Sequence, residues 1–374
     1  MATYNLTSAQ LDTVLSTSGP TYQTDITNAL FAAGLYPSAP GSTIATEVVS
    51  NSNPGGANFY NLTAGQELFI EQGAGGSSSA YMIDYVVTPQ DAVVALTGAS
   101  YTTLIVAGGT SNTILAGDGD FLTVIGDGND EIFGGAGSFQ ILNGQGNDTL
   151  NGGGTNYLVA YGDGNTLYGG LSGSASDTLL SVAGSGTHTL MVAYEGNNLL
   201  LGQSGSDTLI GGTGGDYLLA GLSATAQDTL IAGSGSNLLQ VVDGNNALYS
   251  SGGTDILLGG LGDDTLYGGG QSYLLAGAGG SNLVGTGGDI LIGSTGDDLL
   301  SGGAEIYSGL GGNDTVYGGG GEDVLIFYNY TSAEVTVTVN GDGSTLYSFG
   351  SGADEKTALV YNVDTVYFKT TPSA

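Results

Sequence analysis

Residues 259–267 read Gly-Gly-Leu-Gly-Asp-Asp-Thr-Leu-Tyr, residues 211–219 read Gly-Gly-Thr-Gly-Gly-Asp-Tyr-Leu-Leu, and residues 318–326 read Gly-Gly-Gly-Gly-Glu-Asp-Val-Leu-Ile. Each is a glycine-rich turn, one carboxylate, then a three-residue strand with an aliphatic centre. From about Ala99 to Phe327 this unit recurs roughly every nine residues. A strand so short buries one side chain inward and needs a like neighbour above and below it. The expected fold is therefore all-β: a parallel β-roll, or β-solenoid, in which two repeats complete one coil.

A longer period overlies the short one. Leu171–Leu179 returns as Leu222–Leu230, and Ala193–Asn198 returns as Val241–Asn246. A block of about fifty residues reads as duplicated. Residues 1–98 lack the glycine rhythm. Thr7–Leu15 and Asp25–Gly34 read as short helices, the second with Asp25 as its N-cap and Gly34 past its end. Thr43–Val49, Glu67–Ile70, Tyr81–Val87 and Ala92–Leu96 read as strands. These residues are expected to form a small mixed N-terminal cap. Residues 99–327 form the roll. Residues 328–374 form a β-rich C-terminal cap, with Glu334–Val339 and Thr345–Phe349 as a hairpin across Asn340–Gly343.

Composition narrows the chemistry. The 374 residues include 35 acids against two lysines, for a formal charge of −33. Nothing here neutralises phosphates, so nucleic acid is excluded as a partner, and an anionic membrane surface is disfavoured likewise. With no cysteine there are no disulfides, no thiol catalysis and no sulfur-ligated metals. No run is long and apolar enough for a bilayer span, and Met1–Leu6 lacks the basic and apolar regions of a secretory signal. No membrane insertion is expected.

Glycine turns bend tightly and aim carbonyl oxygens inward. Carbonyls with a carboxylate make a hard oxygen site suited to Ca²⁺, while Mg²⁺ retains its waters and demands stricter geometry. The candidate ligands are Asp130, Asp148, Asp207, Asp216, Asp228, Asp255, Asp264, Asp289, Asp298, Asp314 and Asp323. The turn glycines Gly126, Gly128, Gly144, Gly146, Gly212, Gly214, Gly260 and Gly262 go with them. Acids on one edge of adjacent coils lie about 4.8 Å apart. Unit charges that close repel by roughly 3 kcal/mol at an effective dielectric near 20. Asp130 with Asp148, Asp207 with Asp228, and Asp298 with Asp314 are the expected same-edge pairs. Several equivalent positions hold Asn, Ser, Phe139 or His188 instead. Stacked asparagines can hydrogen-bond without metal, so fewer calcium ions than repeats are expected.

These repeats resemble the repeats-in-toxin, or haemolysin-type calcium-binding, nonapeptide Gly-Gly-x-Gly-x-Asp-x-aliphatic-x. Residues 211–219, 259–267 and 318–326 match it, and 125–133, 143–151, 202–210 and 309–317 are close copies. The resemblance covers about 230 residues. It implies a parallel β-roll, calcium in the turns, and export by a type I system reading an uncleaved C-terminal signal.

Enzymatic motifs are absent. His188 is the sole histidine, so His-Glu-x-x-His zinc chemistry is impossible. No nucleophile elbow accompanies it. Gly117-Asp118-Gly119 and Gly162-Asp163-Gly164 lack the lysine and helix of a phosphate loop. The expectation is a secreted, non-enzymatic, calcium-dependent structural protein, extracellular or at the cell surface. It would form a homo-oligomer or polymer, in a lattice, filament or biofilm. An adhesin with a β-roll stalk, with cell-surface polysaccharide as one partner, is the second reading. A polysaccharide-modifying enzyme is the third.

Overall fold

The structure is a computed structural model. It describes residues 2–15, 27–28, 30–31, 35–40, 42–50, 57–64, 66, 68–72, 82–97, 101–115, 121–125, 128–135, 139–142, 146–162, 164–170, 176–182, 188–285, 289–292, 299–302, 313–317, 324–328, 330–350 and 356–369. The chain divides into two compact units, Met1–Ala183 and Gly184–Ala374.

Met1–Ala183 is a parallel β-solenoid with two sheets. One runs Ile44–Ser50, Leu68–Gln72, Val93–Thr97, Thr113–Leu115, Glu131–Phe133, Thr149–Asn151 and Thr166–Tyr168, each parallel to the next. The other runs Ala57–Asn61, Met82–Val87, Tyr101–Ala107, Phe121–Ile125, Phe139–Leu142, Tyr157–Tyr161 and Thr178–Val182. The ladder thus begins at Ile44 and passes through the boundary expected at residues 98/99 without a break. What caps it is shorter than anticipated. Ala2–Leu6 pairs antiparallel with Ile44–Ser50. The helix Ser8–Leu15 follows, its Thr7 backbone N–H donating to Gln10 Oε1 at 3.0 Å. Leu11 and Leu30 close the core over Ile44, Leu68 and Ile70. Residues 27–28 and 30–31 are helical, as expected, while Asp25 and Gly34 lie outside the described residues.

Gly184–Ala374 is built likewise. One sheet runs Leu190–Val192, Thr208–Ile210, Thr229–Ile231, Ala247–Tyr249, Thr265–Tyr267, Asn282–Gly285, Leu299–Gly302, Val324–Tyr328 and Thr365–Lys369. The other runs Leu199–Leu201, Tyr217–Ala220, Leu238–Val241, Ile256–Leu258, Tyr273–Leu275, Ile290–Ile292, Asn313–Tyr317 and Lys356–Tyr361. The expected hairpin is present. Thr345–Phe349 lies antiparallel on Lys356–Tyr361, and Val335–Val339 antiparallel on Thr345–Phe349. Phe327, Phe349 and Phe368 pack beneath it.

Register explains the core. Leu209, Leu230, Leu248, Leu266 and Leu283 stand at one register position on successive coils and are fully buried. Each contributes about 1.5–3 kcal/mol by leaving water. The outward neighbours on either side stay partly exposed, so the three-residue strand reads out–in–out. Ile141 pairs with Val159, and Gln140 takes the register position of Leu158.

Candidate metal centre

The residue just before each strand forms a ladder along the sheet edge. Asp130, Asp148, Asp207, Asp216, Asp228, Asp255, Asp264 and Asp289 all occupy this position and are all buried, at 2% exposure or less. Each described carboxylate reaches back one coil. Asp148 Oδ1 accepts the Asp130 backbone N–H at 2.7 Å, and Asp228 Oδ1 accepts that of Asp207 at 2.6 Å. Asp216, Asp255 and Asp289 do the same for Asn198, Asn237 and Ser272 on the opposite sheet. One oxygen of each carboxylate is therefore structural.

The second oxygen divides the ladder in two. Asp216 Oδ2 accepts Gly212 N–H at 2.9 Å, Asp264 Oδ2 accepts Gly260 N–H at 3.0 Å, and Asp255 Oδ2 accepts Ser250 Oγ–H at 2.5 Å. By contrast, Asp148 and Asp207 each bury an Oδ2 that receives no hydrogen bond, and that of Asp228 faces the Gly221 N–H without a hydrogen bond of full geometry. Burial pushes the Asp207 carboxyl up to about 7, helped by the charge of Asp228, and Asp148 up to about 6, helped by that of Asp130. Burial likewise raises Asp228 to about 6.

Asparagine at the same position solves the problem locally. Asn198 Nδ2 donates to Glu195 O at 3.2 Å and to Asp216 Oδ1 at 2.8 Å. Asn246 does so to Asp243 O and Asp264 Oδ1, and Asn237 to Gly233 O and Asp255 Oδ1. The amide bridges the carbonyls of its own turn to the next carboxylate. Where two aspartates follow each other, Asp130–Asp148 and Asp207–Asp228, no amide stands between them. A buried carboxylate oxygen that receives no hydrogen bond is a hard donor, and together with backbone carbonyls it makes an all-oxygen set of the kind that fits Ca²⁺. Among the described residues no three acidic or histidine side chains converge, so backbone carbonyls have to complete such a shell.

The glycines bring the turns close enough. A Cβ at Gly146, whose φ is +147°, would lie 1.6 Å from Gly128 O. At Gly212 it would lie 2.1 Å from Tyr194 O. Gly128, Gly214, Gly260 and Gly262 make comparable approaches to the preceding coil.

One expected ladder position is corrected. Thr189, whose N–H donates to Asp207 Oδ1 at 2.9 Å, holds the ladder position given to His188, and His188 is exposed with Nδ1 2.8 Å from Ser206 O. Ser281 holds the equivalent position ahead of Asn282–Gly285, its Oγ accepting the Asp264 N–H at 3.4 Å. The pairing expected of Asp298 with Asp314 falls outside the described residues. Gly126, Gly144, Asp298 and Asp323 lie outside the described residues, as does the side chain of Asp314. The amide bridge was the feature missed: the alternation of Asn with Asp along one edge marks where it stands but not which way each Nδ2 turns.

The fold and these turns define a calcium-binding parallel β-roll. A family model for the RTX calcium-binding nonapeptide repeat, four copies long, matches residues 126–150, 189–223, 225–257, 241–275 and 283–325. The repeat array of this chain belongs to that family, whose nonapeptides bind calcium and whose members are typically secreted. No curated protein matches the chain.

Proposed function

We propose that this protein is a secreted structural protein that binds calcium in its turns and self-assembles at the cell surface or in the extracellular matrix. The sites are Asp130 with Asp148 and Asp207 with Asp228, completed by turn carbonyls. Bound calcium would satisfy the carboxylate oxygens that the amide N–H groups satisfy elsewhere. The assembly reading is carried by the outer face of one sheet in Gly184–Ala374. Leu199, Tyr217, Leu238, Ile256, Tyr273 and Ile290 form one outward row, and Leu201, Leu219, Leu258, Leu275 and Ile292 most of the next. Ile256 and Tyr273 are 41% and 42% exposed. In a chain of charge −33 these two rows carry no charged residue, as a surface made for apolar contact does. The repeat family is typically structural or toxin-associated and not catalytic.

Sedimentation velocity in millimolar calcium, with and without chelator, tests the proposal. Multimers that dissociate on chelation are expected. Monomer throughout overturns self-assembly.

A further inference from the structure

The outermost strand of Gly184–Ala374, Val335-Thr336-Val337-Thr338-Val339, pairs on one edge only. Its partner is Thr345–Phe349, and no described strand meets the other edge. Val337 and Val339 are 51% and 75% exposed. Exposed edge strands are usually blunted by lysine, proline or a bulge. This strand has none of them.

Its backbone phase is determined. Asn340 N–H donates to Ser344 O at 2.8 Å. Hydrogen-bonded and non-hydrogen-bonded pairs alternate along an antiparallel ladder. Thr338 and Thr336 therefore bond inward to the hairpin, and Val335, Val337 and Val339 direct their N–H and C=O groups to the open edge.

The sequence of that edge is its own reverse. An antiparallel copy centred on Val337 sets Val337 against Val337, Val335 against Val339 and Thr336 against Thr338. All three valine positions become hydrogen-bonded pairs, which is the phase the open edge presents. The flanks agree. Glu334 meets Asn340, not a second glutamate, and Glu334 Oε2 already accepts Thr331 N–H and Oγ–H at 2.8 Å each. Asp342 is held by Ser344 N–H and Oγ–H. A chain with charge −33 thus meets a second copy along a strand with no charge.

We propose that Val335–Val339 is a docking edge for the same strand of a second copy of this chain, joined antiparallel about a two-fold axis at Val337. The inference rests on the self-assembly reading and gives it one defined contact. It is independent of the apolar sheet face, because it uses a different strand and backbone bonds.

The test uses the full chain in millimolar calcium. The protein has no cysteine, so Val337→Cys places one thiol on the axis. Hydrogen-bonded antiparallel pairs stand about 5.5 Å apart at Cα, within disulfide range. Val339→Cys meets Val335 and stands about four residues from its own copy, beyond that range. The expected result is about tenfold more covalent dimer from Val337→Cys than from Val339→Cys, with Val335→Cys and Val339→Cys cross-linking when mixed. Val337→Lys, at an exposed position, is expected to keep the calcium-dependent circular dichroism and lose the dimer. If the wild type assembles while Val337→Lys assembles equally and Val337→Cys does not cross-link, the edge contact is wrong and self-assembly by another surface stands. If the wild type is monomeric at every concentration, both are overturned.

Discussion

At the ladder position, asparagine and aspartate differ by one donor, and that donor decides whether a turn needs a cation. Asn198 and Asn237 close their turns with their own amides. Asp207 leaves an oxygen buried and unpaired. Asp207→Asn is therefore expected to remove one calcium from the stoichiometry measured by isothermal titration. It should also raise the stability of the metal-free protein by about 1–3 kcal/mol, the cost of an unpaired buried polar group. Asp207→Ala loses the bond to Thr189 N–H as well and should destabilise both forms. The same carboxylates give a pH signature. Folding raises Asp207 to about 7 and Asp148 and Asp228 to about 6. A raised carboxyl holds its proton in the fold and releases it in the unfolded chain. Its stabilisation is complete below about pH 4 and is lost as pH rises through 6 to 7. Melting temperatures of the chelated protein should fall between pH 5 and 8, and saturating calcium should flatten the curve. The edge pairs Asp130–Asp148 and Asp207–Asp228 were legible from spacing alone. The amide bridge was not, because it depends on which way each Nδ2 turns, and spacing does not carry that.

At the scale of one coil, the strand is too short to be stable alone, and its inward leucine is the only side chain it buries fully. Leu248→Ala is expected to cost about 2–5 kcal/mol, seen as a lower urea midpoint. The outward Tyr267, stacked on Tyr249 with centroids 4.9 Å apart, should cost far less when replaced by Thr. The glycines separate in the same way. Gly212→Ala drives a Cβ to 2.1 Å from the carbonyl of Tyr194, whereas Gly341→Ala in the C-terminal hairpin meets nothing within 4 Å. The first should destabilise by about 1–3 kcal/mol and the second should be near neutral. Strand positions and inward residues of the regular repeats were readable because the period places them. His188 was misplaced by one residue, the ladder position falling to Thr189. A one-residue slip moves a strand's side chains to the other face, and only the pairing resolves it.

Over the whole molecule, the coils from Ile44 to Thr97 show why the glycine rhythm understates the solenoid. Their strands run five to seven residues, as in Ile44–Ser50 and Leu68–Gln72. Longer strands bury two or three side chains each, as at Leu68 and Ile70, and stack without acidic glycine turns. Nothing in that stretch repeats at nine, so it reads as a separate domain although it forms the same ladder. The acids of Asp130–Asp323 then face a problem of self-repulsion that geometry alone does not remove. Exposed charges such as Asp263 interact through water and are screened within about 8 Å at physiological ionic strength. The ladder acids are buried at 2% exposure or less, where mobile ions do not reach. Sodium chloride at about 1 M, with a Debye length near 3 Å, should therefore fail to replace millimolar calcium. In a thermal melt of the chelated protein, salt should recover only the small part of the loss that comes from exposed acids, and calcium the rest. Recovery by salt equal to that by calcium would mean the charge is relieved at the surface and not in the turns.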